Sequence, residues 1–242
     1  MKLVAFDTST DACSVAVKID DEVRIDHRIV QREHSALLLS MVQGLLDQFS
    51  VKPCDLDGVV FGQGPGSFTG VRIAAAAAQG LAIAANCGVQ GISSLQAMAS
   101  ACVRQSCGSV DGSEWVVAAL DARMDQIYAN SYLAKSGFQA LSDEVVVNAD
   151  EFTLPAPGSA GVVKKLLICG SGAERYESAL VERINQLGKF ELGMIRGVVP
   201  HAQDLLSLID ARHSASWLLP EKAQPVYLRN KVALTEAERS SS

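Results

Sequence analysis

Aromatic residues make up only 5% of this 242-residue chain, and histidine occurs four times, at 27, 34, 201 and 213, never at the spacing of a metal-binding helix. H-x-x-x-H, H-E-x-x-H and the G-x-S-x-G nucleophile turn are all missing, so zinc hydrolysis and serine-triad chemistry lack their residue types. Basic residues are also short: 21 Lys and Arg stand against 27 Asp and Glu, a net charge of −6, with no long cationic block. That excludes a broad nucleic-acid face working by counterion release, and any RNA role must run through a partner. The six cysteines form no C-x-x-C pair and sit mostly in apolar runs, as small reduced core residues do. Ahead of Asp7 stand only the apolar residues 3–6, too few for a signal-peptide core of about 7 to 15. The alanine-rich stretch 73–87 is interrupted by Gln79 and Asn86 and falls short of the ~18 apolar residues of a membrane span. A cytoplasmic protein with no membrane contact is expected.

What the chain does have is core material, since 48% of it is hydrophobic and 20% charged. Its length divides by ~150 residues per domain into one to two domains. The run 2–6, then 12–19 and 23–30 with two-residue alternation, predict three strands joined by hairpins. From Ser35, read as an N-cap, Leu37, Leu38, Met41, Val42, Leu45, Leu46 and Phe49 recur at helical spacing. A buried strand over 58–62, a glycine-rich turn, an alanine helix over 71–86, a strand over 89–92 and a helix over 94–105 follow.

After a Ser/Gly-rich stretch the pattern restarts. Strands are expected near 115–120, 126–133, 144–148 and 165–169, and helices over 173–187 and 203–212, with a loop over 155–161. A late extended segment covers 225–229 and a frayed polar tail follows 235. Two α/β lobes with a cleft between them, at 1–107 and 108–242, are the architecture this implies, and the terminal segment is a candidate to return to the first lobe.

Gly64-Pro65-Gly66-Ser67-Phe68-Thr69-Gly70 follows a strand and opens a helix, where backbone N–H groups favour an anion. It lacks the Lys of a P-loop and the spacing of G-x-G-x-x-G, so a tight turn capped by Ser67 or Thr69 competes equally with an anion site. The strand-end carboxylates Asp7 and Asp121 are placed to face one another across a cleft and to hold Mg²⁺ and phosphates, with Asp11 and Asp125 nearby; capping of turns is the alternative. The turns Thr8-Ser9-Thr10, Arg123, and Gly170 to Gly172 complete this phosphate-loop-like set. The helix over 71–86 is alanine almost all round, which suits close packing inside the chain and docking of another protein's helices equally.

Asp7-Thr8-Ser9-Thr10, Arg32-Glu33-His34-Ser35, Gly64 through Ile73, Asp121-Ala122-Arg123-Met124 and Pro225-Val226-Tyr227-Leu228-Arg229, in that order, resemble the TsaB (YeaZ) family of accessory subunits for tRNA threonylcarbamoyladenosine synthesis. The resemblance implies a two-lobed actin-like ATPase (ASKHA, ribonuclease H-like) fold built of duplicated βββαβα units. It also implies kinship with the catalytic transferase TsaD, whose family is also called glycoprotease-like or peptidase M22-like. TsaD holds its metal with a histidine pair, and Ser94 and Met98 stand at the matching positions here, where neither replaces imidazole.

The resemblance thus implies a non-catalytic scaffold that binds TsaD together with the ATPase TsaE, pairs with itself when alone, and meets tRNA only through the complex. ATP, ADP and metal would belong to the complex or its boundary, and none to this chain by itself. The implied partner surface lies on the first-lobe helices, at His34, Ser35, Leu38, Met41, Val42, Leu45, Ser67, Arg72, Ala74, Ala75 and Ala78. Relatives carry glycines where this chain has residues 74–78, so the surface is expected to be altered in detail. A kinase-like ATPase of the same fold and, more remotely, a peptidase are the alternatives.

Overall fold

The structure, a computed structural model, describes residues 1–106, 112–135, 137–155, 163–210 and 217–229. The expected loop over 155–161, most of the Ser/Gly-rich stretch, the helix end beyond 210 and the polar tail lie wholly or largely outside the described residues.

Two five-stranded sheets carry the fold. The first comprises β1 (Lys2–Asp7), β2 (Ala12–Ile19), β3 (Glu22–Ile29), β4 (Gly58–Gly62) and β5 (Gly88–Ile92), in the order β3-β2-β1-β4-β5. Its helices are α1 (His34–Gln48), α2 (Phe68–Ala85) and α3 (Ser94–Gln105). The second sheet comprises β6 (Trp115–Arg123), β7 (Gln126–Leu133), β8 (Val145–Asn148), β9 (Lys165–Cys169) and β10 (Glu191–Ile195), in the order β10-β9-β6-β7-β8. Read from its other edge this is the same strand order, an antiparallel meander and then parallel strands; α1 makes the crossover to β4 in the first lobe, whereas between β8 and β9 the described residues hold only the short 3-10 turn Ala149–Glu151. The duplicated two-lobed α/β plan is therefore present. β10 was not expected from the sequence.

Local chemistry sets the element ends. Glu33, not Ser35, precedes the first turn of α1, and His34 is already helical. In α2 the hydroxyl of Ser67 accepts from Gly70 N at 3.4 Å, starting the helix three residues before the expected Val71, and Asn86 ends it in the left-handed region at φ 51°. The lengthened α2 is 18 residues with a mean hydropathy of 1.4, long and apolar enough to cross a membrane by length and composition, contrary to the sequence expectation. Its inner face, with Ala74, Ala78 and Ala82 fully buried, packs on the first sheet and α1, while residues such as Ala76, Gly80 and Ile83 are exposed. The single helix expected over 173–187 is split into α4 (Ser171–Arg175) and α5 (Glu177–Leu187), because Tyr176 leaves the helical region at φ −114°, ψ 31°.

The last described parts of the chain return to the first lobe. α6 (Ala202–Asp210) covers β1, β2 and β4 with Leu205, Leu206, Leu208 and Ile209. Its first amide donates to the buried hydroxyl of Ser14 at 2.9 Å. Beside it, His201 stacks on His27 of β3 with ring centroids 4.3 Å apart and planes 6° from parallel. Burial, the His27 ring and Arg104 push His201 down from 6.5 to about 4, and burial followed by Arg104 lowers His27.

Both folded pKa values lie below the unfolded ones, so the unfolded chain binds more protons between about pH 6.5 and 4, and stability falls with pH through that window. The melting temperature should therefore drop between pH 7 and 5 in the parent more than in His201→Gln. Parallel curves for the two proteins would show that the stacked pair carries no proton linkage.

Candidate functional site

A cleft of about 1240 Å³ opens between the lobes. Its first-lobe wall comes from the turn after β1 (Ser9, Thr10, Asp11) and the start of α2 (Gly66, Ser67, Phe68, Arg72). The second-lobe wall comes from the β6–β7 hairpin (Asp121, Arg123, Met124), Tyr128, and α4 (Ser171, Glu174, Arg175).

The expected pairing of Asp7 with Asp121 across this cleft is not formed. Asp7 is 1% exposed and does not line the cleft. Its carboxylate accepts from Ser9 N, Ser9 Oγ and Ser94 Oγ, each at 2.7 Å. Burial raises its pKa, opposed by those hydrogen bonds and by the nearby His34. Thr8 is also sealed in, donating from Oγ1 to Gly70 O at 2.7 Å, while Thr10 keeps to the cleft wall and caps Ala12 N at 3.2 Å. The carboxylate that does reach the cleft, Asp121, already has partners: Arg123 and Arg175 approach Oδ2 at 3.4 and 3.3 Å.

Gly170 and Gly172 do not line the cleft either; they are packing glycines. A Cβ on Gly172 would lie 2.6 Å from Leu120 C, and one on Gly170, at φ +101°, 2.4 Å from Ala119 O and 2.6 Å from Met98 Cε. The same contacts settle the fit of a metal at the positions matching the transferase histidines. Ser94 is fully buried with its hydroxyl bound to Asp7, and Met98 is fully buried against Gly170. A hydroxyl engaged by a carboxylate and a thioether are a poor donor set for iron or zinc, and among the described residues no group of three His, Cys, Asp or Glu gathers elsewhere.

On the first-lobe helices the residues expected to dock a partner divide by face. Leu38, Met41, Val42, Leu45, Ala74, Ala75 and Ala78 are each at most 5% exposed and belong to the first lobe's core. A docking surface needs exposed atoms, so these seven hold α1 and α2 to the sheet instead. His34 is buried as well, and among the described residues its Nε2 has no partner. Ser35, Ser67 and Arg72 stay on the surface. So do Ala36, Gly44, Ala76, Gly80 and Ala84, together with Leu39 at 53% and Ile83 at 68% exposure. Ala76, Gly80 and Ala84 fall within the alanine-rich signal of this helix, whereas Ala36, Leu39, Gly44 and Ile83 had no sequence signal of their own, being what remains once the core stripe is assigned.

The C-terminal segment was also undervalued. Trp217 lies on Gly58 and Gly88, Leu218 bridges Val89 in both directions, and Val226 N donates to Gln63 O at 2.8 Å. The segment then crosses the cleft mouth. Tyr227 sits 6.0 Å from Phe68, Arg72 covers the Phe68 ring at 3.2 Å, and Arg229 donates to Gln126 Oε1 and Arg123 O of the second lobe.

Comparison with known proteins follows the same lines. A family model described as TsaD, tRNA N6-adenosine threonylcarbamoyltransferase, matches residues 25–182. The Escherichia coli tRNA threonylcarbamoyladenosine biosynthesis protein TsaB is 32% identical over 96% of both chains, and its Bacillus subtilis namesake is 31% identical over 62% of this chain and 64% of its own. YeaZ from Pseudomonas aeruginosa superposes with a TM-score of 0.78 at 36% identity, covering 94% of this chain and 99% of that one.

Proposed function

Because this chain belongs to the TsaB family and takes part in the synthesis of tRNA threonylcarbamoyladenosine, we propose that it does so as a scaffold, performing no chemistry itself and holding the transferase TsaD in a complex with the ATPase TsaE. Nucleotide, metal and tRNA would be bound by that complex or at its boundaries.

The observation that carries this reading is the outer face of α1 and α2. A Cβ on Gly44 or Gly80 would have nothing within 4 Å, so neither glycine serves the chain's own packing. Each nevertheless costs its helix about 1 kcal/mol relative to alanine. A face that keeps such glycines beside the exposed Leu39 and Ile83 suits close approach by another helix. The buried state of Asp7, Ser94 and Met98 supports the non-catalytic half of the reading, since the atoms that would hold a metal are engaged within the fold.

The interlobe cleft favours one competing reading, a kinase-like ATPase. The two readings separate in a single set of measurements. For a scaffold, the isolated chain gives a flat calorimetric titration with Mg-ATP, co-elutes with TsaD on size exclusion, and is required for modified tRNA to appear in the reconstituted mixture. Saturable Mg-ATP binding by the lone chain with turnover would favour the ATPase. Failure to co-elute, with or without nucleotide and TsaE, would remove the scaffold.

A further inference from the structure

Two features at the cleft mouth have no part in the proposed scaffold. One is the turn between β6 and β7. Arg123 pairs with Gln126 across it, so Met124 and Asp125 form a two-residue loop, and β6 shifts register between Asp121 and Arg123. Arg123, Met124 and Asp125 all stand in the left-handed region, at φ 62°, 54° and 57°. Hairpin turns of this kind are ordinarily built with glycine or asparagine. Three residues with a Cβ hold that conformation in succession only where surrounding contacts impose it.

The other feature is the C-terminal segment 223–229, which supplies such contacts. Arg229 donates to Gln126 Oε1, to Arg123 O at 3.5 Å and to Met124 Sδ at 3.4 Å. The segment's other end is held by the first lobe. Gln79 Nε2 of α2 donates to Ala223 O at 3.2 Å and Val226 N to Gln63 O at 2.8 Å, while the Arg72 guanidinium lies over the Phe68 and Tyr227 rings at 3.2 and 5.1 Å. A second joint between the lobes is α3, which contributes nothing to the cleft walls. Its Leu95, Met98, Ala99 and Cys102 are buried in the second lobe's core. The two joints differ in kind, since α3 is apolar and sealed whereas Arg229 is half-buried and Tyr227 is exposed.

We propose that residues 223–229 are a latch: Arg229 holds the strained turn and through it keeps the lobes closed, with α3 as the hinge. When Arg229 lets go, the turn relaxes and the cleft mouth widens. An apolar buried joint bends without coming apart, whereas hydrogen bonds at a surface exchange with water at little net cost, so the latch is the joint that opens. The closed state has the bonds of Arg229 and a left-handed turn; the open state has neither, which makes the device two-state. Leu39, Gly44, Gly80 and Ile83 take no part in it, so the latch stands or falls independently of the contact proposed for TsaD.

The test is a pair of measurements on the full chain. Spin labels carried by genetically encoded unnatural amino acids at Asp11 and Arg175, exposed on opposite walls of the cleft, report the lobe separation by pulsed electron resonance and leave the native cysteines untouched. Methionine methyl NMR reports the turn through Met124, with the buried Met41 of the first lobe's core as internal control. The parent should give one narrow distance distribution. Arg229→Ala should move it to longer distances, broaden it, and shift the Met124 methyl signal while Met41 keeps its place. Circular dichroism establishes that each variant folds, and Gln126→Ala reads the same bond from the second lobe should Arg229→Ala fail to do so. A distribution unchanged by either substitution, a Met124 signal that stays where it is, or a parent already as broad as Arg229→Ala would overturn the proposal.

Discussion

Ile83→Glu should give a chain that melts like the parent and no longer co-elutes with TsaD, whereas Ala78→Glu, five residues away on the same helix, should give a chain too unstable to assemble at all. The difference is one of face. Ile83 is 68% exposed, so its replacement meets solvent in the lone chain. In a complex the new carboxylate would be buried without a partner, which costs about 2 kcal/mol or more and some 30-fold in affinity.

Ala78 is fully buried in the first lobe's core. A carboxylate there has to be desolvated within the fold at a cost of several kcal/mol, about 10 °C or more in melting temperature for a chain of this size. Leu39→Glu and Leu38→Glu should repeat the contrast on α1, where exposure is 53% and 1%. Gly80→Ala should separate the two properties in the opposite sense, raising the melting temperature by about 2–4 °C through helix propensity while weakening assembly. Thermal melts and size exclusion read all five variants, and retention of TsaD by Ile83→Glu would remove this face from the contact.

That contrast also explains why the sequence pattern picked out buried residues on these helices. Spacing of i, i+3, i+4 picks out the apolar stripe Leu38, Met41, Val42 and Leu45, and in a surface helix that stripe faces the chain's own core. A face that binds another protein need not be periodic; the face proposed above consists of the alanines, glycines and isolated large residues the pattern leaves over. The duplicated topology was legible because burial in a parallel sheet writes long apolar runs, as in 2–6, 58–62 and 165–169. β10 escaped because Glu191-Leu192-Gly193-Met194-Ile195 has a glycine at its centre, lying over Leu167, and stands at an edge with no residue fully buried.

Asp7 and Asp121 look alike in sequence, each near the end of the first strand of its lobe. What separates them is a contact 87 residues away, the Ser94 hydroxyl that closes over Asp7, and no local pattern carries that information.

Gly70→Ala should cost about 3 kcal/mol of stability, or roughly 6–12 °C in melting temperature, and should leave the response to phosphate unchanged. The glycine-rich turn and the turn after β1 are docked backbone to backbone. A Cβ on Gly70 would lie 1.9 Å from Thr8 O and 2.9 Å from Thr8 C, and one on Gly66 would lie 2.4 Å from Ser9 O. Neither wall can withdraw cheaply, since Thr8 Oγ1 holds Gly70 O at 2.7 Å and Ser67 N donates to Ser9 O at 2.7 Å. An L residue therefore forces α2 away from β1 or breaks these bonds, and both outcomes belong to the short list of mechanisms that give large losses.

An anion cradle makes the opposite forecast. Phosphate would then raise the melting temperature of the parent by linkage, and the substitution would abolish that rise with little change in the absence of phosphate. The atoms decide in advance which is expected: the Ser67 N–H already donates to Ser9 O and the Gly70 N–H to Ser67 Oγ, so neither is free to receive a phosphate. The glycines of this turn bring the start of α2 within backbone contact of the turn after β1, and that approach fixes the helix that carries the exposed Ile83.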